Sequence, residues 1–123
     1  MTANSPKNKP SLAQIIQEIE LTVLTTAQDF TNQIPTAGYT SDLLSCVMAG
    51  APRQGVWVTL QAHTNIVAVA ALLDLAAIII TENAQPEPNT VQKANDEGVV
   101  LLSTPRQSFD VVGRLWEMGI RGE

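Results

Sequence analysis

Four short groups of polar residues carry what chemistry this sequence offers, and each adjoins an apolar run. Thr36, Gly38, Tyr39, Thr40 and Ser41 close the segment "IPTAGYTS"; Gln61, His63, Thr64 and Asn65 follow "GVWVTL". Thr81, Glu82 and Asn83 follow "AAIII", and Ser103, Thr104 and Arg106 follow "VVLL". Small hydroxyls and amides in such turns can hold an anion, because a helix that starts there offers free N–H groups and the positive end of its dipole. Arg106 could add a bidentate grip on a carboxylate or phosphate. The same residue types are also what a helix N-terminus needs for its own capping. Residue type alone leaves both readings open.

Covalent and redox chemistry find less support. His63 is the single histidine and Cys46 the single cysteine, so no zinc cluster can be assembled and no cofactor is called for. Ser103, His63 and Asp42 could be written down as a triad, but no G-x-S-x-G elbow presents a nucleophile. There is no G-x-x-x-x-G-K-[ST] and no G-x-G-x-x-G, so neither a P-loop nor a dinucleotide fingerprint is present. No residue is assigned a catalytic role or a metal.

The elements that must position these groups follow from periodicity. Residues 1–10, rich in Ser, Pro, Asn and Lys, read as a disordered leader, and residues 11–123 as a single domain. Ser11 is placed to cap a helix carrying Leu12, Ile15, Ile16 and Ile19. "LTVLTT" reads as a strand, and "IPTAGY" as a short strand at a start or edge because of Pro35. Ser41 and Asp42 are expected to cap a helix that ends at Gly50, with Cys46 an inert thiol on its buried face. Strand and helix then alternate: "GVWVTLQ", a helix in "HTNIVAVAALLDL", "AAIIIT", a surface helix ending at Gly98, "VVLLST", and a last helix in "PRQSFDVVGRLWEMGI". That last helix is expected to bury Phe109, Val112, Leu115, Trp116 and Ile120, with Trp57 and Trp116 as core or subunit-contact residues. Continuous Val/Ile/Leu strands separated by helices predict an α/β fold with a mostly parallel sheet covered on both faces. In such a sheet ligands bind beyond the carboxyl ends of the strands, which would gather the polar turns into one crevice.

Bulk properties narrow the partners. The net charge is −5 with only seven basic residues, which argues against nucleic acid and against an anionic membrane surface. Charged residues make up 15%, against roughly a quarter in an average globular protein, which points to surface hidden in an oligomer. The lone cysteine fits a reducing, cytoplasmic setting. The first residues lack the apolar core of a signal peptide, and Asp74 interrupts the longest apolar run.

The phrases "GYTSDLLSCVM", "VWVTLQAHTNIVAVA", "AAIIIT" and "GVVLLSTPRQSFDVVGRL" resemble the DRTGG domain family over about residues 15–120. That family occurs alone and attached to CBS-domain proteins and phosphotransacetylases, and is similar to the amino-terminal domain of HPr kinase/phosphorylase. The resemblance implies a three-layer α/β/α domain with a mostly parallel sheet of about five strands, and a homodimer formed through the domain. The kinase label given to some stand-alone members belongs to a P-loop domain that this chain lacks. The family's Thr-Gly-Gly falls on Thr36, Ala37 and Gly38, and its Asp-Arg pair on Asn32 and Gln33, so the charged pair is replaced here. Gly38 is kept, as a turn with positive φ or a close backbone approach would require.

Together these features lead to a non-catalytic regulatory or ligand-sensing module. It would take a small phosphate-bearing metabolite or nucleotide at Thr36, Gly38, Tyr39, Ser41, His63, Asn65, Thr81, Ser103, Thr104 and Arg106, and would act with a protein partner. The alternative is a dimerisation adaptor with no ligand, and a small enzyme is the third reading.

Overall fold

The computed structural model describes residues 9–122. Its elements run α1 (Leu12–Ile19), β1 (Thr22–Val23), β2 (Gly38–Thr40), α2 (Leu44–Gly50), β3 (Val56–Thr59), α3 (Asn65–Leu73), β4 (Ala77–Ile80), α4 (Pro88–Glu97), β5 (Leu101–Ser103) and α5 (Ser108–Glu117). The strands form one sheet in the order β1-β5-β4-β3-β2. β2, β3, β4 and β5 are parallel, and β1 joins β5 antiparallel, with Thr22 opposite Ser103. Most of the expected leader lies outside the described residues; of its last two members, Pro10 is buried and Lys9 is exposed.

The three layers follow from the two-residue period of the strands. Val56, Val58, Ala77, Ile79, Val100 and Leu102 pack with α1 and α5 on one face. Trp57, Ile78, Ile80, Val99 and Leu101 pack with α2, α3 and α4 on the other. A strand buried on both sides has no polar alternation, which is why "VWVT" and "AIII" read as continuous apolar runs. α1 begins with the expected cap: Gln14 N–H donates to Ser11 Oγ at 3.1 Å, and Ser11 N–H to Gln14 Oε1 at 2.8 Å. α4 ends at Gly98, whose φ of 73° suits glycine.

Several expectations are corrected. β1 has two residues rather than six, because beyond it the Thr25 hydroxyl accepts Leu101 N–H and Thr26 turns to Asn95. β2 begins at Gly38, four residues after the expected start; Pro35 can donate nothing to a ladder, and Thr36 is tied by its N–H to Gln54 O. α2 has seven residues and buries only Val47, so Cys46 is exposed rather than set in the core. On α5 the buried residues are Val111 and Leu115, while Phe109 and Trp116 stand 89% and 54% exposed. The helix is turned so that its aromatic residues face outward.

Candidate functional site

In a parallel sheet the carboxyl ends of the strands share one edge, and the turns after β2, β3, β4 and β5 meet there. Ser41, His63, Asn65, Thr81, Ser103, Thr104 and Arg106 stand at or just beyond those strand ends. Thr36 does not. It precedes β2 at the opposite edge, where its hydroxyl donates to Arg53 O at 2.7 Å and its carbonyl accepts Lys9 Nζ at 2.7 Å. Gly38 and Tyr39 lie within β2 itself. Gly38 has no positive φ; its role is close approach, since a Cβ there would sit 3.0 Å from Ile120 Cγ2. Its N–H donates to Arg121 O at 2.8 Å, which pins the end of the chain to the β2 edge. The Tyr39 hydroxyl donates to Cys46 O at 3.0 Å, which ties β2 to α2.

Several of the rim residues bond one another. Asp42 does not cap its own helix: its Oδ1 accepts Thr59 Oγ1 and Leu60 N–H, each at 2.8 Å, and so binds the β2 turn to the β3 turn. Gln61 Nε2 closes the same link on Asp42 O at 3.0 Å. Ser41 Oγ accepts Leu43 N–H at 3.1 Å, and Ser41 O accepts the indole N–H of buried Trp57 at 2.9 Å. His63 Nδ1 accepts Asn65 N–H at 3.1 Å at the start of α3, where Thr64 makes no capping bond with its side chain. Thr81, fully buried, shares its hydroxyl with Thr59 O at 3.3 Å and Ser108 Oγ at 2.5 Å.

The turn after β4 is held hardest. Glu82 and Asn83 both take left-handed backbone angles, φ 61° and 59°. Such a conformation costs an L-residue about 1–2 kcal/mol. Their N–H groups donate to Arg106 O at 2.8 Å and Thr104 O at 3.2 Å, so the β5–α5 loop holds them in place. The Glu82 carboxylate accepts Ser108 N–H at 2.8 Å and thereby occupies the N-terminus of α5, where an external anion would otherwise bind.

Arg106 is likewise engaged. Its guanidinium donates to Ile19 O at 3.2 Å, Asp110 Oδ2 at 3.2 Å and Glu20 Oε1 at 3.0 Å. It works as a clasp between the end of α1 and the start of α5. Asp110 also accepts Arg114 Nε at 2.9 Å; that bond first, with Arg106 beyond it, holds its carboxyl below the ordinary value. Thr59, Glu82 and Ser108 are not among the expected site residues, and Asp42 does different work from that expected. Their signal in the sequence is only a hydroxyl or carboxylate at a strand end, which does not say across which turn the side chain will reach.

One pocket of about 130 Å3 lies elsewhere, between the free edge of β2 and the last turns of α5. Gly38, Thr40, Val58, Val112, Trp116 and Arg121 are among its lining residues, and it is mostly apolar. Its size is near that of an engineered cavity of about 150 Å3 that admits benzene. The Arg121 guanidinium stacks over the Trp116 ring at 4.3 Å from the centroid. Among the described residues no group of three or more His, Cys, Asp or Glu side chains could hold a metal, and no helix is long and apolar enough to cross a membrane.

The chain is thus a mostly parallel α/β domain whose strand-end turns are bonded to one another, and comparison with known proteins gives the family. The family model described as "DRTGG domain" matches residues 47–118, more than half of the chain, and the chain belongs to that family. The matched span begins after Asn32, Gln33, Thr36, Ala37 and Gly38, the residues set against the family's eponymous motif. Among solved structures, the chain is similar to the CBS and DRTGG domains of the regulatory region of Clostridium perfringens pyrophosphatase, complexed with the activator diadenosine tetraphosphate. The likeness has a TM-score of 0.73 at 15% identity; it covers 95% of this chain and 50% of that one. The present chain therefore spans half of that regulatory region, and the solved neighbour is a regulatory region rather than a catalytic domain. Comparison with curated protein sequences gives no match.

Proposed function

We propose that this chain is a non-catalytic regulatory module of the cytoplasm that works by association, as a homodimer joined to a partner protein. One observation carries the reading: Arg106, the cation at the strand-end rim, is already held by Ile19 O, Glu20 and Asp110. A rim built to receive a phosphate would keep that guanidinium available. The surface instead leaves large apolar groups in water on α5, where association would cover them. The low content of charged residues, 15%, supports the same reading. Light scattering on the eluting protein at micromolar concentration tests it. A mass twice the 13.2 kDa of the chain is expected, and a mass of one chain at every concentration would overturn the homodimer.

A second reading is favoured by the ligand of the solved neighbour, diadenosine tetraphosphate. Here the module would sense a phosphate-bearing metabolite or nucleotide at the rim, with exposed His63 and Asn65 closest to solvent. Thermal melts against nucleotides, acyl phosphates and sugar phosphates separate the two readings. A ligand at 100 times its Kd adds about 2.7 kcal/mol of stability. A shift that disappears in Asn65→Ala would favour ligand sensing; a flat panel favours association alone.

A further inference from the structure

We infer that the homodimer, on the reading above, forms through α5 packed antiparallel on α5 of a second copy, with Phe109 of each copy filling the other's pocket beside Trp116. Three features of one helix flank point to this contact. Phe109 is 89% exposed, and nothing among the described residues covers it. Seven residues on, at the same helical phase, half-exposed Trp116 borders the apolar pocket of about 130 Å3, a space on the scale of one benzene ring. Between them stands Gly113, inside the helix, where an added Cβ would meet nothing within 4 Å. A glycine in a helix interior costs roughly 0.5–1 kcal/mol relative to alanine, and no neighbour among the described residues requires it. A second helix lying close across that position would.

Knob and hole on the same flank make the surface complementary to itself, which is the condition for an isologous pair. With a rise of about 1.5 Å per residue, Phe109 and the level of Trp116 lie on opposite sides of Gly113 at similar distances, about 6 and 4.5 Å. A two-fold axis beside Gly113, perpendicular to the helix, therefore carries Phe109 of one copy onto the Trp116 level of the other. At about 200 Å2 per aromatic side chain, the exposed parts of two Phe109 and two Trp116 supply about 600 Å2. That is half of the ~1,200 Å2 at which stable interfaces begin, and the rest would come from the flanks of α5 and the β2 edge. Charge is compatible with the contact as well. The chain carries −5 overall, but residues 106–121 hold Arg106, Arg114 and Arg121 against Asp110 and Glu117, so this face is not the source of the repulsion.

The test uses the full chain in a Cys46→Ser background. Gly113→Cys should form a disulfide-linked dimer on mild oxidation, because two-fold related positions there approach within bonding reach, while Glu97→Cys on α4 should not. Phe109→Ser should weaken dimerisation by about tenfold or more, as the loss of an aromatic anchor at an interface centre does. Because Phe109 is exposed, the melting temperature of the monomer should hold; Leu72→Ser, an exposed apolar site on α3, should leave the dimer intact. A wild-type dimer that neither Phe109→Ser nor Gly113→Cys affects would overturn the α5 contact and leave the homodimer standing. A wild-type chain that stays monomeric would remove the homodimer itself, and would leave the pocket to a small aromatic ligand or a different protein.

Discussion

Replacing Arg106 with methionine separates a structural rim from a binding rim. The side chain is about three-quarters buried, and its Nε donates to Ile19 O, a carbonyl at the end of α1. A hydrogen bond from a charged donor is worth about 1.5–3 kcal/mol. The pairs with Glu20 and Asp110 reach partners that are 77% and 42% exposed, so each adds at most about 1 kcal/mol and is screened by salt. Methionine keeps much of the apolar stem. The net loss for Arg106→Met is therefore about 2–3 kcal/mol, and at this chain length about 4 °C accompanies each kcal/mol, giving a fall of about 10 °C in Tm. Thermal melts at low and high salt read this out. The ion-pair part of the difference should shrink in high salt, and the part owed to Ile19 O should remain. A variant that melts within 2 °C of wild type, within about half a kcal/mol on the same scale, would refute the clasp and return the guanidinium to the role of anion receptor.

Three further outcomes follow from the same contacts. Trp57→Phe removes the indole N–H from Ser41 O and leaves a void in a fully buried site, so the urea midpoint should fall by the equivalent of about 2–3 kcal/mol with an unchanged slope. Asp110 has its folded pKa held below the ordinary 3.8, so its ion pairs stabilise the fold above that value and are lost as pH falls through the lowered one. The stability of wild type over Asp110→Asn should thus be positive near neutrality and vanish in strong acid; a gap that widens in acid would contradict the pairing. Cys46 is exposed, so a thiol reagent should label it fully without denaturant, and protection until unfolding would return it to the core.

What the sequence reveals here is the sheet, and what it conceals is the direction of side chains. "VWVT" and "AIII" announce central strands because both of their faces are buried, so no polar residue interrupts them. The edge strands carry weaker signals. β1 and β2 hold two and three residues, and the β-branched residues beside them make side-chain bonds instead of ladder bonds. Moving β2 four residues along was enough to send Thr36 to the far edge. Along α5 and just past it a stripe through Phe109, Val112, Leu115, Trp116 and Ile120 is hydrophobic enough to suggest a core face; the core takes Val111, Leu115 and Ile120, and Phe109 and Trp116 stay outside it. Hydrophobicity alone does not say which flank of a helix the core will take, and here the two aromatic residues stand in solvent. The convergence of the turns was legible from the parallel order of the strands. Their mutual satisfaction was not, because Asp42 reaches Leu60 and Glu82 reaches Ser108 across gaps of 18 and 26 residues.

Native-state amide hydrogen exchange tests the closed rim most directly. The N–H groups of Leu60, Glu82, Asn83 and Ser108 donate to Asp42, Arg106, Thr104 and Glu82. Their protection should approach that of the central strands, β3 and β4, because the turns open only with the sheet beneath them. Exchange of all four at rates typical of free surface turns would mean an open crevice, and the account of a rim committed to the fold rather than to a ligand would be wrong.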